Sequence, residues 1–246
     1  MADMDFSGCN SDRCGIVEYL AAVYWPTAVT KDYEKLAEEY VSDESEPDDG
    51  KQKKKDWWST DIKVEFDQLK TENPDIIGWI RFDDQDEISI NYPIVYSGNN
   101  EKYLRKDIHG NEHIAGSIFL EGLNQSDFSD LYNIIYGHNM NNGSMFGSLK
   151  KYKDEGFWKK NQYFTVYTES TAYRYQIFSY EDAVVGGNVY KVGYQPGEEY
   201  QTFIERWWKI RILIPGSDQS QAIRFWRCPP VLIMIAANDS QFMRYV

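Results

Sequence analysis

Residues 133–152 read NIIYGHNMNNGSMFGSLKKY, and they contain one of the three histidines in the chain. The run from Tyr132 to Tyr136 predicts a short buried strand. Gly137 breaks this run, His138 follows it, and a turn rich in Asn and Gly comes next. A histidine at the end of a strand and beside a turn is well placed for proton transfer, although histidines with purely structural roles are common. The stretch therefore predicts a strand end that carries a candidate acid–base group.

The composition narrows the class of protein. The chain has 246 residues and a formal net charge of −13, which argues against a nucleic-acid-binding protein with a basic face. Its hydrophobic content of 42% is enough to fill a core, and its aromatic content of 16% favours a β-rich fold. No run of about 18 apolar residues occurs, so the sequence predicts no membrane span.

Cysteine and histidine usage gives no sign of a disulfide framework or a metal site. Cys9 and Cys14 lie near the start and Cys228 near the end, so a Cys9–Cys14 bridge and a reduced pair both remain open. His109 and His113 are four residues apart with Gly110 between them, and they have no clearly placed acidic partner. We interpret them as loop residues and predict that the protein binds no metal ion.

The hydrophobic pattern divides the chain into two parts. We predict a helical and linker segment over residues 1–58, including a short helix over 31–41, and one domain over residues 59–246. An amphipathic helix is predicted over 61–73 and a longer one over 197–213. Between and after these helices come short apolar runs separated by Gly, Asn and Asp, a pattern typical of a barrel or sandwich. The predicted strands are 76–82, 88–96, 115–121, 131–137, 163–169, 172–180 and 231–236.

Several of these segments resemble one known family. NPDIIGWIRF, INYPIVYSGNNEKYL, AGSIFLE, DFSD, NIIYGHNMNNGSMFGSLKKY and YRYQIFSY occur in this order between residues 60 and 205. Together they resemble the class B sortases, cysteine transpeptidases of Gram-positive cell surfaces. The resemblance implies a mainly β fold, an eight-stranded sortase-type β-barrel with N-terminal helices and one long helix inserted before the last two strands. It implies no cofactor.

The resemblance also implies a reaction centre of three residues. In the family a cysteine thiolate attacks the carbonyl of a threonine in a sorting signal, and a histidine protonates the leaving amine. An arginine holds the substrate backbone and the developing oxyanion. Here YGHNM places the histidine at His138, and MRYV places the arginine at Arg244. The family's cysteine position falls on Ala236.

Ala236 has no nucleophile, so the chain is predicted to be unable to form a thioacyl intermediate. The family's Thr-Leu-x-Thr lead-in is replaced by residues 232–235, Leu-Ile-Met-Ile. An engineered cysteine-to-alanine replacement would account for Ala236 but not for the missing threonines. Two alternatives therefore stay open, a non-catalytic module that binds sorting-signal peptides and a cysteine hydrolase using Cys228. Arg227 next to Cys228 favours a lowered thiol pKa. Cys228 nevertheless lies eight residues before position 236 and directly before two prolines, which favours an incidental thiol.

Four further positions match family segments that line the sorting-signal groove. Asn100 and Leu104 lie in NNEKYL on one wall, and Val189 and Tyr190 lie in the loop before the long helix on the other. Core packing is an alternative role for Leu104 and Val189. Tyr190 is the better candidate for the groove, because a tyrosine in a Gly-rich loop is otherwise exposed.

The resemblance also implies partners and a location. The expected partners are surface proteins with a C-terminal sorting signal and an amine of a peptidoglycan precursor. The expected place is the extracellular face of the cell membrane of a Gram-positive bacterium, reached through an anchor that is absent from this chain.

Overall fold

The structure is a computed structural model that describes residues 31–43, 62–177, 179–180, 188–210 and 231–237, with the backbone alone for 207–210 and 231–237. Along these residues the strands mostly follow one another in groups, with helices between the groups. The strands are β1 Val41–Asp43, β2 Ile62–Val64, β3 Ile76–Phe82, β4 Asn91–Val95, β5 Ile118–Leu120, β6 Tyr132–His138, β7 Tyr163–Tyr167, β8 Ala172–Gln176 and β9 Val231–Ala237. The α-helices are α1 over 31–40, α2 Phe66–Glu72, α3 Glu155–Lys160 and α4 Glu198–Ile210, with 3-10 helices at Gly147–Lys153 and Asn188–Tyr190.

Seven of the described strands form one sheet in the order β8-β7-β3-β4-β5-β6-β9. The β4–β5 and β6–β9 pairs are parallel, and the other pairs are antiparallel. The predicted mainly β fold is confirmed, and α4 lies before the last described strand as predicted. The strand expected to carry Arg244 falls on residues outside the described ranges.

Strand β3 lies in the middle of the sheet because nearly all of its residues are apolar. Trp79 and Ile80 are fully buried and Phe82 is 1% exposed. Trp79 pairs with Pro93 of β4 on one side and with Tyr167 of β7 on the other. A strand that reads as an almost continuous apolar run is the pattern expected when both faces are covered.

Helix α1 packs on the main sheet through its tyrosines. Tyr33 is 3% exposed, and its hydroxyl donates to the Gly116 carbonyl at 3.1 Å. At the other end of the helix, the Tyr40 hydroxyl donates to Glu72 Oε1 at 3.4 Å. Residues 31–43, which belong to the predicted segment 1–58, thus contact the predicted domain, and the boundary near residue 58 stays a prediction. No helix in the described ranges is both long and apolar enough to cross a bilayer.

The prediction of one helix over residues 61–73 is wrong at its start. Ile62–Val64 form strand β2, which pairs antiparallel with β1, and only Phe66–Glu72 are helical. The alternating burial of Ile62 and Lys63 fits a strand as well as a helix over so short a range. The partner strand β1 decides the outcome, and local periodicity does not reveal a partner some twenty residues away.

His113 gives the stability of the fold a dependence on pH. This half-buried histidine lies in the loop before β5, and its Nδ1 atom accepts no hydrogen bond from the described residues. Burial lowers the pKa of His113, while the carboxylates of Asp107 and Asp32 oppose this effect. A histidine whose pKa is lowered on folding takes up its proton more readily in the unfolded chain.

We therefore expect the free energy of unfolding to fall as the pH decreases through about 6.5, the ordinary histidine value. His113→Gln removes the titrating group and should flatten the pH dependence between about pH 7 and 5. Urea unfolding at several pH values measures both proteins. An equally steep decrease in the variant would contradict the assignment to His113.

Candidate active site

His138 is the last residue of β6, as the sequence predicted for a strand end, and its exposed fraction is 5%. The preceding residue has to be small. A Cβ atom at Gly137 would lie 2.5 Å from Ile118 Cδ1 and 2.7 Å from a ring carbon of Phe146. The absence of a side chain therefore lets Ile118 and Phe146 pack directly against the strand beside His138.

The turn after His138 folds back onto the strand end. Asn139 pairs with Met145 in an antiparallel bridge, and the Phe146 amide donates to the His138 carbonyl at 3.0 Å. Gly143 has a φ of 85°, which a glycine adopts without strain, and Met145 has a φ of 51°. This closed turn fixes the backbone on the C-terminal side of His138.

Position 236 lies beside this strand end. Strand β9 runs parallel to β6, with Gly137 paired to Ala236 and His138 paired to Ala237. Both strands end at the last of these pairs, so His138 and position 236 are brought to the same end of the same ladder. In a regular parallel pair facing residues share a face, so position 237 shares the face of His138, whereas position 236 shares the opposite face with Gly137. Arg244 and Cys228 lie outside the described residues.

Strand β6 presents several polar groups on the face of His138. Tyr132, Tyr136 and His138 are spaced by even numbers of residues, so they lie on one face of the strand. The Tyr132 hydroxyl donates to the Val189 carbonyl at 2.7 Å, and the Tyr136 hydroxyl donates to Glu121 Oε2 at 2.7 Å. Burial and the Glu121 carboxylate both raise the pKa of Tyr136, which stays a neutral donor.

Asn100 is connected to this face through Glu121. Its Nδ2 atom donates to Glu121 Oε1 at 2.8 Å, and its Oδ1 atom accepts from the Gly122 amide at 2.7 Å. The nitrogen and the oxygen of the Asn100 side-chain amide, which was predicted to line the groove, therefore both bond to residues of the segment after β5. Leu104 follows in the next turn and is partly buried, with its amide donating to the Glu101 carbonyl at 3.3 Å.

The other predicted wall is the 3-10 helix Asn188–Tyr190. Val189 is 5% exposed, and its carbonyl is held by Tyr132. Tyr190 is half-buried and packs at the edge of the core. The burial of Val189 fits the alternative role in core packing, whereas Tyr190 is only partly buried.

Sequence reasoning did not identify Glu121 and Tyr136 as parts of this site. Glu121 is 6% exposed, and it accepts hydrogen bonds from Asn100, Tyr136 and the Leu123 amide. The strand period that places Tyr136 on the face of His138 was available from the sequence. The contact of Tyr136 with Glu121 was not, because it depends on the pairing of β5 with β6.

Replacing Glu121 with Ala should destabilise the protein by about 1–3 kcal/mol, because the buried Tyr136 hydroxyl loses its acceptor and the more exposed Asn100 amide loses a partner. Glu121→Gln should cost less, since its carbonyl oxygen still accepts from Asn100. Urea unfolding measures both, with Glu101→Ala as the control on an exposed carboxylate of the neighbouring loop. Equal stability of Glu121→Ala and Glu101→Ala would contradict the role of Glu121.

His109, in the loop before β5, lies near the end of α2. His109 Nδ1 is 3.7 Å from Glu72 Oε2 at the end of α2. In the part of the chain that the structure describes, no group of three or more His, Cys, Asp and Glu side chains is arranged to hold a metal ion.

Two curated proteins that are similar to this chain are both named sortase B. Sortase B of Listeria monocytogenes is 37% identical over 119 residues, covering 48% of this chain and 47% of the relative. Sortase B of Staphylococcus aureus is 27% identical over 144 residues, covering 58% of each. The chain thus spans about half of the length of these curated relatives. No family model matches the chain.

Solved structures agree over a larger part of the chain. Sortase B from Bacillus anthracis in complex with AAEK1 superposes with a TM-score of 0.62 at 28% identity, over 78% of this chain and 84% of that one. Staphylococcus aureus sortase B in a substrate complex gives 0.57 at 27% identity, over 63% and 69%. Sortase B from Listeria monocytogenes gives 0.54 at 30% identity, over 62% and 86%. With this fold and these relatives, the chain belongs to the class B sortases.

Proposed function

We propose that this chain has the groove and acid–base group of a sortase that cleaves a C-terminal sorting signal after Thr and joins it to a cell-wall amine. The chain itself is inactive in this reaction, because Ala236 occupies the position of the nucleophile. The observation that supports the proposal is the parallel pairing of β6 with β9, in which Gly137 pairs with Ala236, His138 pairs with Ala237, and both strands end together.

The proposed reaction needs a thiol at position 236. Its thiolate attacks the carbonyl carbon of the threonine, and the electron pair of the C=O bond moves to the oxygen. His138 gives a proton to the leaving amine as the C–N bond breaks and a thioester forms. The incoming amine then attacks the thioester, His138 accepts its proton, and the thiolate leaves. In this scheme Arg244 stabilises the oxyanion.

In this proposal the groove has two walls. Asn100 and Leu104 lie on the first wall, where Glu121 and Gly122 hold the Asn100 side chain, so that Asn100 shapes this wall. Val189 and Tyr190 lie on the second wall, which Tyr132 ties to β6. The partners in this scheme are surface proteins with a sorting signal and a peptidoglycan amine, at the extracellular face of the cell membrane.

A non-catalytic peptide-binding module is the second candidate, because Ala236 leaves such a groove without a nucleophile. Both candidates require that the unmodified chain bind a sorting-signal peptide. The residue that the native gene encodes at position 236 separates them, since a cysteine there indicates an enzyme.

Binding of a fluorescent sorting-signal peptide to the unmodified chain is the direct test. We expect saturable binding, and we expect Tyr190→Ala to raise the Kd about tenfold through the loss of an aromatic contact. Tyr163→Ala, on β7 and 40% exposed, is the matched control and should bind as the unmodified chain does. Absence of binding, or equal losses in the two variants, would remove the support for this groove.

A further inference from the structure

The turn after His138 is held from outside by one tyrosine. The Met145 amide, in a residue that is 1% exposed, donates to the hydroxyl oxygen of Tyr92 at 3.1 Å. Tyr92 belongs to β4, which is separated from β6 by β5 in the sheet. Because Met145 has a φ of 51°, a conformation that non-glycine residues adopt only when their surroundings require it, this contact holds a strained position.

A displacement of Met145 would disturb the backbone on both sides of His138. Met145 pairs with Asn139, the residue directly after the histidine, and the next amide, that of Phe146, donates to the His138 carbonyl. The Phe146 ring also packs against Gly137, the residue directly before the histidine. The backbone on each side of His138 is therefore fixed by the segment that Tyr92 holds.

Tyr92 is itself fixed by helix α1. Its ring meets the ring of Tyr33 edge-to-face, with centroids 5.4 Å apart and an interplanar angle of 82°. The Tyr33 hydroxyl donates to the Gly116 carbonyl at 3.1 Å and to Ser117 Oγ at 3.2 Å. Burial raises the pKa of Tyr92 to about 12, so its hydroxyl is neutral at physiological pH. Two aromatic rings thus connect α1 to the turn that follows His138.

We propose that Tyr92 is a positioning residue for His138 and that α1 supports it through Tyr33. The proposal rests on the proposed function only in giving His138 an acid–base role. The positional claim concerns the environment of the imidazole, and it is measurable in the unmodified chain without any activity.

The test compares Tyr92→Phe with Tyr40→Phe by NMR. Tyr40→Phe is a matched control, because it removes a hydroxyl from the other end of α1, where the acceptor is Glu72. With His138→Gln used to assign the His138 signal among the three histidines, we expect Tyr92→Phe to move its chemical shift and titration midpoint. Amide exchange at Met145 should accelerate about tenfold, as expected for the loss of one hydrogen bond. Tyr40→Phe should leave both measurements unchanged.

A purely structural role would lower the melting temperature in both variants and leave the His138 signal in place, and this outcome would overturn the proposal. In a chain that carries Ala236→Cys, Tyr92→Phe should lower kcat with little change in KM, because it disturbs His138 and not the groove. If Ala236→Cys proves inactive, the proposed function fails, while the NMR comparison still decides the role of Tyr92.

Discussion

The Ala236→Cys variant is expected to cleave peptides with class B sorting signals, whereas the unmodified chain should release no product. A positioned histidine alone contributes about 10²–10⁴-fold in rate, too little to break an amide bond usefully without a covalent step. Loss of the nucleophile in a hydrolytic triad costs on the order of 10⁶-fold in kcat, so the expected gain is large. We expect only partial recovery, because Leu232 and Ile235 stand where the family has threonines.

The same assay, with a fluorogenic peptide and with or without an added amine, tests the role of His138. Ala236→Cys combined with His138→Ala should lose essentially all of the gained activity. Ala237→Cys is the matched control for the position of the thiol, because residue 237 pairs directly with His138.

Three outcomes would contradict this assignment. Activity of Ala237→Cys without activity of Ala236→Cys would place the nucleophile one residue later. Activity of Ala236→Cys that does not need His138 would exclude the proposed acid–base pair. Cleavage by the unmodified chain would direct attention to Cys228.

Trp79→Ala is expected to have the largest effect on stability, about 3–5 kcal/mol for a buried aromatic residue. The indole is fully buried in β3, and its Nε1–H donates to Asn91 Oδ1 at 2.7 Å. Removing it opens a cavity in the middle of the sheet and leaves the Asn91 acceptor without this donor. Trp79→Phe keeps a ring in the core and should lose clearly less.

Urea unfolding followed by circular dichroism measures these changes independently of tryptophan fluorescence. Trp158→Ala is the control, because Trp158 on α3 is only partly buried while its Nε1–H also donates, to the Ile177 carbonyl at 2.6 Å. Comparable losses at Trp79 and Trp158 would show that the centre of the core does not lie at β3.

The sequence predicted most strands because their apolar runs are interrupted by Gly, Asn and Asp. Residues 76–82 were predicted to the residue, whereas the strand expected to break at Gly137 continues through it and ends at His138. The short strand Ile62–Val64 was missed, because its only partner lies in a distant segment. Local periodicity contains no information about such a partner.

The candidate site also contains residues that were predicted from the sequence and residues that were not. His138 was predicted from its place at a strand end, and the family resemblance added positions 236, 244, 100, 104, 189 and 190. The groups that hold the site, Glu121 and Tyr92, were not predicted. Glu121 reaches Tyr136 through a strand pair, and Tyr92 reaches Met145, which lies 53 positions later in the sequence, so only the folded chain brings them together.

The parallel pairing of β6 with β9 affects when the site forms during folding. Parallel neighbours require a crossover, and here nearly a hundred residues, including α4, separate the paired positions. Pairings so distant in sequence are slow to form, because the entropy of closing a long loop is lost before any contact offsets it. A ribosome releases β6 long before β9, so a nascent chain carries His138 on an uncovered sheet edge. We therefore expect the proposed site at this strand end to be completed in one of the last steps of folding.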